Sequence, residues 1–172
     1  IFIKTPKKLT EKQKDFARKY FDEEVESNVI PILLHDNVPL PYLREKSLYL
    51  GIAMRRKDWQ YTTKFAIIEV PAKSNGRFVI LPTENNDETD IMLLEDVIAF
   101  NLPHIFSYFG YDEFKDNAFK VTKDAEFDLD NDIRTSYAEK IEKGIKSRRK
   151  GKPTRFVFDK DMDKSLVEFL IK

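Results

Sequence analysis

Leu48-Tyr49-Leu50-Gly51-Ile52-Ala53-Met54-Arg55 decides the fold class: Leu48, Leu50, Ile52 and Met54 alternate with Tyr49, Gly51, Ala53 and Arg55. Side chains of a strand point to opposite faces in turn, so a period of two marks a β-strand. A second β-rich run, Phe65 to Val70, follows Lys57-Asp58-Trp59-Gln60, which has hairpin length. Arg77 to Leu81 supplies a third strand behind the turn signal Ser74-Asn75-Gly76. Three strands joined by short turns predict an antiparallel meander.

The flanks read differently. Thr10 and Gln13 have the spacing of a capping box, in which each side chain satisfies a free donor at a helix start. Phe16, Tyr20, Phe21, Val25 and Val29 then recur at helical intervals, and Pro31 predicts an end near Val29. His35 to Lys46, with Pro39 and Pro41, reads as a loop, and Glu84 to Asp90 as an acidic one. Ile91, Leu94, Ile98, Leu102, Ile105 and Phe109 keep a helical stripe that Pro103 interrupts, predicting a kink or two helices meeting near Asn101. Gly110 suits a helix C-cap. Phe119 and Val121 mark a fourth strand and Arg155 to Phe158 a fifth. Ile133, Tyr137, Ile141 and Ile145 predict a helix from Asp132, and Met162 to Leu170 a final one. The reading is an α+β fold: a mainly antiparallel sheet of about five strands, packed with several helices in a single domain.

Composition bounds the chemistry. The chain has 172 residues, with 30 Lys+Arg against 30 Asp+Glu and hence no net charge. That balance argues against a dedicated nucleic-acid binder, and 14 Phe, 7 Tyr and 1 Trp supply ample core surface. With no cysteine there is no disulfide framework, thiolate metal site or cysteine nucleophile. No secretory leader is legible, and apolar runs such as Val29-Ile30-Pro31-Ile32-Leu33-Leu34 fall far short of the roughly twenty residues a membrane span needs. Ile1 in place of Met, and the abrupt end at Leu170-Ile171-Lys172, suggest a piece of a longer protein.

Histidine is the side chain that titrates near neutral pH unperturbed. Neither His35 nor His104 has a nucleophile pattern or second histidine at ligand spacing, so both read as structural or solvent-facing. The five glycines are isolated, which excludes a phosphate loop. Asp124, Glu126, Asp128, Asp130 and Asp132 alternate, and an extended segment would put these carboxylates on one face. A hard cation would suit such a row, but helix capping explains it better, so no catalytic, cofactor or metal ligand is assigned. Lys143, Lys146, Arg148, Arg149, Lys150 and Lys152 concentrate positive charge after the predicted helix. Complementing the helix C-terminus accounts for them; the functional reading is polyanion contact through Lys146, Arg148, Arg149 and Lys150.

The ordered set Val29-Ile30-Pro31-Ile32-Leu33, Phe65 to Pro71, Arg77 to Pro82, Ile91 to Ile98, Ile105-Phe106, Lys120 to Leu129, Val157, Met162 and Leu166-Val167-Glu168 resembles the head (middle) domain of bacterial polyphosphate kinase. The resemblance is sharpest at Lys120-Val121-Thr122-Lys123-Asp124-Ala125-Glu126-Phe127-Asp128-Leu129 and covers nearly the whole chain. It implies that residues 1–172 are the head domain of a longer cytoplasmic enzyme, a setting compatible with peripheral membrane association. That parent enzyme passes the terminal phosphate of ATP to polyphosphate, with Mg²⁺ and through a phosphohistidine in domains absent here. Neither His35 nor His104 inherits that role. The expected fragment is inactive, binds no cofactor itself, and serves assembly with other domains and subunits. Thr122, Lys123, Asp124, Glu126 and Asp128 are the expected interdomain contacts. The alternative is a freestanding polyanion-binding module, with polyphosphate as ligand, using the basic cluster 143–152.

Overall fold

The computed structural model describes residues 1–84, 87–123 and 153–171. The capping box forms as the spacing predicts: Gln13 N–H donates to Thr10 Oγ1 (3.3 Å) and Thr10 N–H to Gln13 Oε1 (3.2 Å). It opens α1 (Glu11–Tyr20), which widens into a π turn at Phe21–Val25 and tightens into a 3-10 turn at Glu26–Asn28. Ala17, Phe21 and Val25 are fully buried along this run. Pro31 then opens β2 (Pro31–Leu34), an edge strand, where a missing N–H is tolerated.

β3 (Tyr49–Arg56) and β4 (Trp59–Glu69) form the expected hairpin around Lys57-Asp58, with Leu50 opposite Ile68 and Ile52 opposite Ala66. The Arg56 guanidinium closes the turn by donating to both oxygens of Asp58 (3.0 and 2.7 Å). β7 (Glu113–Lys123) pairs on the other side of β3, and β8 (Pro153–Phe158) lies beyond it. The order is β2-β4-β3-β7-β8, antiparallel throughout.

Two expectations fail here. The Arg77–Leu81 segment forms β5 (Phe78–Leu81) but does not extend the meander, because β2 already occupies the free edge of β4. A short α2 (Ala72–Asn75), with Gly76 in the left-handed region (φ 73°), redirects the chain into a second sheet. That sheet has the order β1-β6-β5, where β1 is Phe2–Ile3 and β6 is Asp90–Leu93. β6 is the second correction, since the stripe from Ile91 predicts a helix. Over four residues a helical and an alternating pattern coincide, and pairing with β5 selects the strand. α3 (Leu94–Phe100) begins only afterwards.

The helix break near Asn101 is as predicted. Asn101 donates back to the Val97 carbonyl (2.8 Å), Pro103 sits in the first turn of α4 (Leu102–Ile105), and Gly110 adopts the left-handed conformation (φ 70°) after a 3-10 turn. The last helix, α5, spans Lys164–Ile171. The helix expected from Asp132 lies outside the described residues.

The five-stranded sheet is covered on both faces. Leu50, Ile52, Met54, Ala66 and Ile68 meet α1, α3 and the small sheet in one core. Tyr49, Ile67, Phe119 and Val121 meet Met162, Leu166 and Leu170 around α5 in the other. Gly51 makes the second core fit: a Cβ there would lie 2.9 Å from Leu166 Cδ2. A buried polar tie joins α1 to the small sheet, where Gln13 Nε2 donates to Asp90 Oδ2 (2.8 Å) and to the Pro82 carbonyl (3.1 Å). Lys4 Nζ lies 3.4 Å from the other Asp90 oxygen.

Candidate functional site

A cleft of about 620 Å³ opens between the 42–49 loop and the α2 turn, reaching the ends of β4 and β7. Its first wall is held by local hydrogen bonds. Arg44 N–H donates to Tyr49 Oη (2.7 Å), and Ser47 Oγ donates to Glu69 Oε1 (2.7 Å), while Leu43 is buried beneath. Burial raises the Tyr49 hydroxyl above its ordinary pKa, so it stays protonated. The second wall is tied to the end of the first helical run: Asn75 Nδ2 donates to the Glu24 carbonyl (2.6 Å), and Asn28 Nδ2 to Asn75 Oδ1 (3.2 Å).

The lining is strongly cationic. Arg44, Lys46, Lys73, Arg77 and Lys120 face a single carboxylate, Glu69. Glu69 is itself engaged, by Ser47 and by Arg44 at 3.7 Å, and Arg77 is paired with Glu95. Lys46, Lys73 and Lys120 are exposed, and none has an acidic partner within ion-pair distance among the described residues. Lys46 also holds φ at 60°, a conformation that costs a non-glycine residue about 1 kcal/mol. Ammonium groups so placed suit phosphate oxygens.

A smaller constellation lies elsewhere. His104 Nε2 is 3.1 Å from Glu26 Oε1 and 4.0 Å from Asp22 Oδ1, and its ring meets that of Phe21 in a T-shaped contact. One atom from each of Asp22, Glu26 and His104 lies within 4.8 Å of the others, so this exposed trio is the described set that could hold a divalent cation. His104 therefore stands on the surface, as does His35 just past β2. On α3 the Asp96 carboxyl is pushed up to about 6, by burial first and then by Glu95, Asp116 and Asp159. Asp116 is raised too, again chiefly by burial.

Of the predicted site residues, Thr122 and Lys123 end β7, where Thr122 pairs with Arg155 and Lys123 with Pro153. Asp124, Glu126 and Asp128 lie outside the described residues, as do Lys146, Arg148, Arg149 and Lys150. The cleft cations escape sequence reading because they come from three separate segments. The visible signals were Arg44 and Lys46 closing a proline-bearing loop, and Lys120 opening the sharpest block of resemblance.

The polyphosphate kinase middle domain family matches residues 12–172. The chain belongs to this family. Polyphosphate kinases of Vibrio parahaemolyticus and Vibrio cholerae are 33% and 34% identical to it over 173 residues, which cover 99% of this chain and 24% of each relative. The Escherichia coli polyphosphate kinase is 32% identical over 173 residues, covering 99% of this chain and 25% of its own. The chain thus spans about a quarter of the length of the curated relatives it matches. A crystal structure of polyphosphate kinase from Porphyromonas gingivalis shares the fold, with a TM-score of 0.74 at 24% identity over 98% of this chain and 22% of that one. Among the described residues of this polyphosphate kinase middle domain, no helix is long and apolar enough to cross a membrane.

Proposed function

We propose that this middle domain serves polyphosphate kinase as a structural and assembly element, while phosphotransfer runs on other segments of the parent enzyme. In this reading the parent is cytoplasmic and moves the terminal phosphate of ATP onto a growing polyphosphate chain with Mg²⁺. The phosphohistidine that carries the phosphate belongs to those other segments, and the 172-residue chain alone is inactive. The surface positions of His35 and His104 support this, since neither is set against a nucleophile in a water-excluding site.

The outer face of the small sheet carries the reading. Val79 and Leu81 turn inward to the core, which leaves Phe78 and Ile80 outward at 62% and 69% exposure. Ile80 pairs with Ile91 and Ile91 with Ile3, while Phe78 pairs with Leu93. Paired residues share a face, so these side chains form one apolar surface across three strands. Ile3, like Phe78 and Ile80, is largely exposed. Such contiguous apolar surface marks a contact site. Its occupant is a neighbouring segment of the same parent polypeptide, because three quarters of each relative's length lies outside the matched region.

The test compares Phe78→Glu with Ile80→Glu in two settings. In the 172-residue chain the pair leaves the thermal midpoint within about 2 °C, because both sites already face water. In the full-length parent it lowers the midpoint by about 5 °C or more and reduces polyphosphate synthesis. An unaltered midpoint and unaltered synthesis in the parent would refute the docking role.

A further inference from the structure

We infer that the cationic cleft between the 42–49 loop and the α2 turn is a holding site for a linear phosphate chain. The inference takes its ligand class from kinship with polyphosphate kinases and owes nothing to the docking face. Three features of the cleft point to it.

The first is that three lysines of the cleft have no ion-pair partner among the described residues. Lys46, Lys73 and Lys120 converge from a loop, a helical turn and a strand, and the one lining carboxylate is already hydrogen-bonded and paired. A concave surface lined by one sign of charge concentrates the opposite sign in front of it. The second is the number of cations lining one cleft of about 620 Å³. A polymer with a negative charge on every phosphate can meet several ammonium groups at once, whereas a single phosphate meets few. The third is Lys46 itself. A lysine held in the left-handed region, where glycine or asparagine would sit more easily, is a local cost that phosphate contact explains. The surrounding hydrogen bonds of Arg44, Ser47 and Asn75 keep both walls in place, so the site is formed before the ligand arrives.

The experiment titrates labelled inorganic polyphosphate into the 172-residue chain. Binding is expected at 50 mM salt and weakens about tenfold by 200 mM, the mark of released counterions. Lys73→Glu with Lys120→Glu weakens it about tenfold or more. Lys46→Gly fits the left-handed backbone, keeps the fold and still weakens binding about threefold. Lys8→Glu with Lys12→Glu, a matched change in charge at exposed residues that do not line the cleft, leaves affinity within about twofold. Orthophosphate competes poorly. The inference is overturned by no binding at 50 mM salt, by cleft variants that bind like the unaltered chain, by an equal loss in the Lys8/Lys12 pair, or by orthophosphate competing as well as the chain. Because only the isolated chain is used, none of these outcomes depends on whether the Phe78 and Ile80 face docks.

Discussion

Asp96 illustrates how a single side chain sets a pH dependence. Its carboxyl is pushed up to about 6 from the ordinary 3.8, so between those values the folded chain holds a proton that the unfolded chain has released. Stability therefore rises as pH falls from about 6 toward 4 and is lost as pH climbs through 6. Asp96→Asn should stabilise the chain at pH 7.5 by about 1 kcal/mol, a figure reduced for the water that still reaches this partly open group. The gain should shrink toward pH 4.5 in paired thermal melts, and a gain independent of pH would contradict the assignment. Gln13 shows where sequence reading stops at this level. Its capping role was legible, because Thr10 is three residues away. Its bond to Asp90 was not, because that partner lies 77 residues along the chain.

Gly51 governs how α5 meets the sheet. Any Cβ there would press on Leu166, a residue 1% exposed in the second core. Gly51→Val should cost about 2 kcal/mol by overpacking, seen as a fall of about 5 °C in thermal midpoint. Gly51→Ala should cost less, because Leu166 is flexible at its far end. An unaltered midpoint for the valine variant would show that α5 does not pack as described. The β3–β4 hairpin was readable here because its period and turn are local signals. The separation of β5 from β4 was not, since it depends on β2 claiming that edge, and β2 begins with a proline that masks its strand character. The four residues of β6 were misread for a related reason: a run that short carries no period of its own, and only its partner strands define it. The cleft was the least legible part, because its walls are joined by tertiary hydrogen bonds between segments that carry no shared motif.

Across the whole molecule, the zero net charge conceals opposed regions: a cleft of five cations and one carboxylate, and an acidic group around Asp96. We propose that the segment from Thr122 to Asp128 makes polar contact with neighbouring domains of the parent enzyme. Asp124→Lys with Glu126→Lys should disturb assembly of the full-length enzyme, read as altered mass on a sizing column and reduced synthesis. Unaltered mass and synthesis would remove that role. The apolar face of the small sheet has a history as well as a location. β1 joins the small sheet by pairing Phe2 with Asp90, so the first strand of the chain finds its partner only after the β2, β3, β4 and β5 segments have been made. Closing so long a loop is slow relative to the local β3–β4 hairpin. During synthesis the segment carrying Ile3 must wait, unpaired, for β6 to emerge from the ribosome. The small sheet can therefore close once β6 is made, while the second core still waits for Phe119, Leu166 and Leu170, so its outer apolar face exists before the larger sheet is covered on both sides.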